Sequence, residues 1–123
     1  MTLNLDARDL RVVARSERGC TVLEISGELD IYTAQRLRAA LVDHTEADGH
    51  RLVLDLSELT FIDSSGLGVL VGAFKQARLK GGALVLAGPR GQLLKILNVT
   101  GLDKVFPVRP DLAGALGYFD EPR

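Results

Sequence analysis

Short runs of apolar residues alternate with stretches of helical spacing along almost the whole chain, and this alternation limits the folds open to it. Leu10 to Ala14 reads as a first strand and Glu17-Arg18-Gly19 as a hairpin turn. Thr21-Val22-Leu23-Glu24-Ile25 reads as a second strand that Ser26-Gly27 should end, leaving Glu28-Leu29-Asp30 as a loop. Thr33 is expected to cap a first helix, in which Ala34, Leu37, Ala40, Leu41 and His44 recur at helical spacing until Asp48-Gly49. Leu52-Val53-Leu54-Asp55-Leu56 is nearly continuously apolar, as a strand buried on both faces should be. A connector, Ser57 to Ile62, then leads to a second helix over Leu67 to Lys80, with Leu67, Leu70, Val71 and Phe74 on one stripe and Gly81-Gly82 as its stop. Ala83–Ala87 is a fourth strand. Gly88-Pro89 is expected to open a third helix with Leu93, Leu94 and Leu97 inward and Gly101 at its end. Val105–Val108 is a fifth strand, demoted to an edge by Pro107, and Asp111 to Leu116 is a short last helix before a polar tail, Asp120 to Arg123.

The order ββαβαβαβα calls for parallel strands joined by crossover helices behind an antiparallel opening hairpin. The expected fold class is therefore α/β, a small mixed sheet of about five strands packed with about four helices. A chain of 123 residues is expected to form one domain, with its core between about residues 10 and 118. Apolar residues make up 46% and aromatics only 5%, with no Trp, so the core is aliphatic.

The formal net charge is −1 and the basic residues are scattered among acids, which argues against nucleic acid as a partner. Cys20 is the only cysteine, so no internal disulfide is possible and a cysteine-based zinc site is not expected. The longest apolar stretch, Leu67 to Phe74, is far short of the ~20 residues needed to cross a bilayer, and no leader pattern precedes it. These features lead us to expect a cytoplasmic protein, a monomer or weak dimer, with no metal, no cofactor and no membrane contact.

Asp63-Ser64-Ser65-Gly66-Leu67-Gly68 is the stretch that carries chemistry. Small hydroxyl residues between an acid and a glycine stand where a helix begins. A helix start has unpaired backbone N–H groups and the positive end of the helix dipole. Such a place suits a phosphate, or a serine to which one is added and removed. It equally suits an ordinary cap, and Asp63 is the expected cap residue. Gly66 would let a partner or a kinase approach the helix start closely. Gly68 and Gly72, four apart, share a helix face on which close packing against the sheet or a partner is expected.

The chain resembles the STAS domain, and specifically the bacterial anti-sigma factor antagonists. Gly27-Glu28-Leu29-Asp30 with Thr33-Ala34 is similar to a first signature, and Leu54-Asp55-Leu56 with Phe61-Ile62-Asp63-Ser64-Ser65-Gly66-Leu67-Gly68 to a second. Gly81-Gly82 before a strand and Thr100-Gly101-Leu102 complete the pattern, from about Leu10 to Tyr118. The resemblance implies a protein that frees a sigma factor by binding its inhibitor, an anti-sigma factor with serine kinase activity. It implies phosphorylation at Ser64, with Ser65 as the alternative acceptor, loss of binding on phosphorylation, and restoration by a PP2C-type phosphatase. It also implies a partner-binding surface containing Asp30, Thr33, Asp63, Ser65, Gly66 and Leu67.

Catalysis by Ser64 is not expected. The only histidines, His44 and His50, fall on the first helix and before the third strand, and Ile62 stands where a nucleophile-elbow motif would have glycine. No Walker-type phosphate loop is present. The alternative reading is an unphosphorylated STAS module serving as a regulatory or structural subunit of a lipid-transport ATPase or a stress-signalling scaffold.

Overall fold

The structure is a computed structural model that describes residues 9–44 and 47–121. The expected polar tail therefore lies partly outside the described residues. Five strands, β1 (Leu10–Glu17), β2 (Cys20–Leu29), β3 (Arg51–Ile62), β4 (Ala83–Ala87) and β5 (Val108–Arg109), form one sheet in the order β1-β2-β3-β4-β5. Only β1 runs antiparallel to its neighbour. Arg18 and Gly19 turn the β1–β2 hairpin with positive φ at both positions, 54° and 79°, the turn whose twist matches paired strands. Four helices follow the strands: α1 (Ala34–His44), α2 (Ser64–Leu79), α3 (Gly91–Thr100) and α4 (Leu112–Tyr118).

A sequential strand order puts every crossover helix on the same face when the crossovers share one hand. Leu23, Ile25, Leu52, Leu54, Leu84 and Leu86 accordingly meet Leu37 and Leu41 of α1, Leu70 and Phe74 of α2, and Leu93 and Leu97 of α3 in the main core. The alternate residues Val22, Val53, Val85 and Ala87 point to the other face, where Ala115 and Leu116 of α4 cover them. Cys20 is buried in this second cluster, and burial pushes its thiol up, away from the reactive thiolate. Farther across that face the sheet is open, and Arg15 pairs there with Glu24 at 2.8 Å.

Several boundaries differ from expectation for identifiable reasons. β2 does not stop at Ser26-Gly27 but continues through Glu28 and Leu29, and Ser57 to Ile62 is strand rather than connector. The two extensions pair with each other: Ser26 opposite Glu58, Gly27 opposite Leu59, Glu28 opposite Phe61 and Leu29 opposite Ile62. Two register shifts absorb the extra residues of β3, and such bulges hide the strand pattern in the sequence. β4 pairs only with Arg51 to Asp55, so the far half of β3 projects beyond it. There the side chain of Gln92, at the start of α3, accepts from the Ile62 N–H at 2.9 Å.

The third helix begins at Gly91 rather than at Gly88-Pro89, and Leu94 faces outward while Ile96 joins Leu93 and Leu97 on the core side. β1 reaches Glu17, β5 is only Val108–Arg109, and α4 runs to Tyr118 with Asp111 as its cap. The inward stripe of α2 is Gly66, Val69, Leu70, Ala73, Phe74 and Ala77, while Leu67 and Val71 are only half-buried. Small residues at sheet-facing positions conceal this phase.

Before β3 the chain makes a short turn over Ala47–His50, with positive φ at Asp48, Gly49 and His50. Asp48 Oδ2 accepts from Ser16 Oγ at 2.7 Å and from Thr21 Oγ1 at 2.9 Å, tying this turn to the hairpin. The Ser16 bond, then the Thr21 bond, hold its carboxyl below the usual 3.8. An acid easier to ionise in the fold than in the unfolded chain adds stability above its unfolded value and loses it as pH falls through the folded one. Asp48→Asn is therefore expected to lower stability at neutral pH and to flatten the decline toward about pH 3, read from urea midpoints at each pH.

Candidate functional site

β2 and β3 are parallel neighbours of nearly equal reach, so the loops at their carboxyl ends emerge side by side. In α/β sheets this end of the strands is where ligands and partners are met. The first loop, Asp30 to Thr33, leads into α1. The second is the single residue Asp63 between β3 and α2.

Asp63 is the cap expected for α2, and it does more. Its Oδ1 accepts from the Gly66 N–H at 3.0 Å, the side-chain bond of an N-cap. Its Oδ2 accepts from the Ile31 N–H of the first loop at 3.1 Å, and its own N–H donates to the Leu29 carbonyl at 3.1 Å. One carboxylate thus fastens both loops.

Thr33 stands at the expected cap position directly before α1, its carbonyl accepting from the Leu37 N–H at 3.3 Å, but its hydroxyl does not bond into the helix. Asp30 caps the turn that leads in: its Oδ1 accepts from the N–H groups of Tyr32 at 2.9 Å and Thr33 at 3.0 Å, and its carbonyl accepts from the Ala34 N–H at 2.8 Å. Thr33 reciprocates, its hydroxyl accepting from the Asp30 N–H at 2.9 Å and donating to the Glu28 carbonyl at 2.8 Å. This is a capping box, with threonine in the place usually held by Glu or Gln. Thr33 is buried, so it shapes the loop from within.

Ser64 is the first residue of α2 and is exposed; Ser65 is half-buried. Neither hydroxyl has a hydrogen-bond partner among the described residues. The Leu67 N–H is taken by the Asp63 carbonyl and the Gly66 N–H by the Asp63 side chain, which leaves the Ser64 and Ser65 amides as the unpaired donors of the helix start.

Gly66 faces inward, contrary to the expectation that it admits a partner. It is buried, and a methyl group built on it would lie 2.6 Å from Leu29 Cγ and 2.8 Å from the Leu29 carbonyl oxygen. The close approach it permits is that of α2 to β2. Gly68 and Gly72, expected to pack closely on the sheet or a partner, do not pack on the sheet: both are exposed and have nothing within 4 Å of such a methyl.

The sequence reading missed the apolar residues around Ser64. Ile31 is 62% and Tyr32 86% exposed, and Phe61 is also exposed at the end of β3. The signal was present: a Leu-Asp-Ile-Tyr run in which the loop residues break every core pattern. Both histidines stand away from the site. His50 precedes β3 and abuts Gly82, on the order of 30 Å from Ser64 by the rise of a strand this long, and His44 closes α1 at the end opposite its cap. Among the described residues no cluster of metal-ligating side chains occurs, and no helix is long and apolar enough to cross a membrane.

Residues 11–115 match the model of the STAS domain family. The chain belongs to the STAS domain family. This STAS domain is 34% identical over 116 residues to the anti-sigma-B factor antagonist of Bacillus subtilis, covering 94% of the chain and 99% of the relative. It is 39% identical over 85 residues to the anti-sigma-B factor antagonist of Listeria monocytogenes, covering 69% and 75% respectively. The crystal structure of an anti-sigma factor antagonist from Mycobacterium paratuberculosis superposes with a TM-score of 0.82 at 30% identity, over 93% of this chain and 97% of that one.

Gly66→Ala in this STAS domain is expected to destabilise by about 1–3 kcal/mol although alanine is the better helix former, because its methyl collides with the backbone of β2. Asp63→Ala is expected to cost about 1–2 kcal/mol in urea unfolding and to remove hydrogen-exchange protection at both the Gly66 and Ile31 amides.

Proposed function

We propose that this STAS domain is an anti-sigma factor antagonist whose binding is switched off by phosphorylation of Ser64. The single observation that carries the reading is the state of Ser64: an exposed hydroxyl without a partner among the described residues, at a helix start that Asp63 holds beside the exposed Ile31-Tyr32 pair. The relatives named as anti-sigma factor antagonists support the identity of the partner.

In this reading Ile31, Tyr32, Ser64, Ser65 and Leu67 face an anti-sigma factor, and Asp30, Thr33, Asp63 and Gly66 hold that surface in shape. The anti-sigma factor is also the serine kinase that modifies Ser64, and a PP2C-type phosphatase reverses it. In this reading the domain is a regulatory partner rather than an enzyme, and Ser64 is a site that is modified, with neither histidine near enough to serve as its base. A cytoplasmic location follows from the role.

Charge supplies the switch. Phosphoserine adds about −1.5 to −2 charge at neutral pH. The two unpaired amides and the helix dipole favour it in the free domain by about 0.3–1 kcal/mol. Within an interface, a partner carboxylate about 6 Å away would oppose it by on the order of 3 kcal/mol per unit-charge pair at an effective dielectric of ~20. That is roughly a hundredfold in affinity. Asp63 is already engaged by two backbone amides, so the mechanism is direct repulsion without refolding.

The test is incubation with ATP and the host's anti-sigma kinase, followed by intact-mass and peptide analysis. Wild type is expected to gain about 80 Da at Ser64 and to leave the complex, whereas Ser64→Ala stays unmodified and bound, and Ser64→Asp binds at least about tenfold more weakly. Modification that persists in Ser64→Ala would move the switch to Ser65. Absence of any complex between the unmodified domain and an anti-sigma factor would refute the role.

A further inference from the structure

The face of α2 turned away from the sheet carries Gly68, Gly72 and Gln76 at intervals of one turn. The fold itself requires neither glycine. Neither has the left-handed backbone that favours glycine, and a methyl group at either would meet nothing within 4 Å. Alanine would give the more stable helix at both positions. The room these glycines leave opens outward, into a half-open cavity of about 540 Å³ between α2 and α1. That volume falls in the range of sites for small organic molecules.

Leu41, Val42, Val69, Ala73 and Ala77 give the cavity apolar walls. Among the described residues, the charged groups on its lining are all of one sign. Arg38 of α1, Lys80 at the C-cap of α2 and His50 all contribute to the lining. No acid lines it. Arg38 and Lys80 have no ion-pair partner among the described residues. An apolar trough whose described lining carries cations is complementary to an alkyl chain that ends in a negative head.

We infer that this cavity binds a single-chain anionic amphiphile, with its carboxylate between Arg38 and Lys80 and its alkyl chain along the Gly68–Gly72 face of α2. The site is separate from Ser64 and does not depend on phosphorylation there.

Titration calorimetry with dodecanoate, and with dodecyltrimethylammonium as the probe of equal tail and opposite charge, tests the inference on the whole chain. Wild type is expected to bind dodecanoate saturably and one-to-one, at least about tenfold more tightly than the cationic probe. Gly72→Leu fills the trough and favours the helix. It is expected to weaken dodecanoate at least about tenfold with no drop in melting temperature, and Arg38→Glu with Lys80→Glu to weaken it similarly. The inference is overturned by the absence of saturable dodecanoate binding, by equal affinity for the two probes, or by undiminished binding to Gly72→Leu. It is also overturned if dodecanoate does not bind while Gly72→Leu impairs capture of the anti-sigma factor, in which case the trough is a protein-docking surface.

Discussion

The carboxylate of Asp63 is the joint on which the site depends. One oxygen ends α2 by accepting from Gly66, and the other reaches across to Ile31 in the loop before α1. Charge-assisted bonds to backbone amides are among the stronger polar contacts a small domain can make. Here they are made between two segments that are adjacent only because β2 and β3 are parallel and of matched length. The register shifts in that pairing serve the same end, since they take up the extra residues of β3 and so bring Ile62 opposite Leu29, with Asp63 level with Asp30.

Two caps of different design therefore stand side by side. Asp30 and Thr33 form a closed local box, satisfied within four residues and partly buried. Asp63 caps openly, leaving two amides and two serine hydroxyls uncommitted. The local box fixes a shape, and the open cap leaves chemistry available. Ile31 and Tyr32 lie at the seam, exposed because the box holds their backbone and no core position is left for their side chains.

Helix phase decides the role of each glycine in α2. At about 100° per residue, Gly66 falls on the same face as Leu70, Ala73 and Ala77, against β2. Gly68 and Gly72 fall on the opposite side. Gly66, expected to admit a partner, packs on β2, and of the two surfaces expected to pack on Gly68 and Gly72, the sheet is not the one. The inward line of small residues lets α2 lie close to the sheet, and the outward pair hollows its surface.

The sequence by itself determined the element order, the antiparallel hairpin, the aliphatic two-faced core, the edge character of the last strand and the cap at Asp63. These depend on periodicity, turn residues and local hydrogen bonds, all of which act over a few positions. The motif from Asp63 to Gly68 was legible for the same reason. Tertiary structure alone decided that Ser57 to Ile62 is a strand, because its pairing with β2 passes through bulges that no local pattern encodes. It decided that the side chain of Asp30 caps the turn leading into α1 while the Thr33 hydroxyl turns back to Asp30 and Glu28, since both residue types suit a cap and the geometry of the emerging strand selects between them. It also decided that Ile31 and Tyr32 stand beside Ser64, a proximity across more than thirty positions that depends on parallel strands ending level and on one carboxylate reaching both ends.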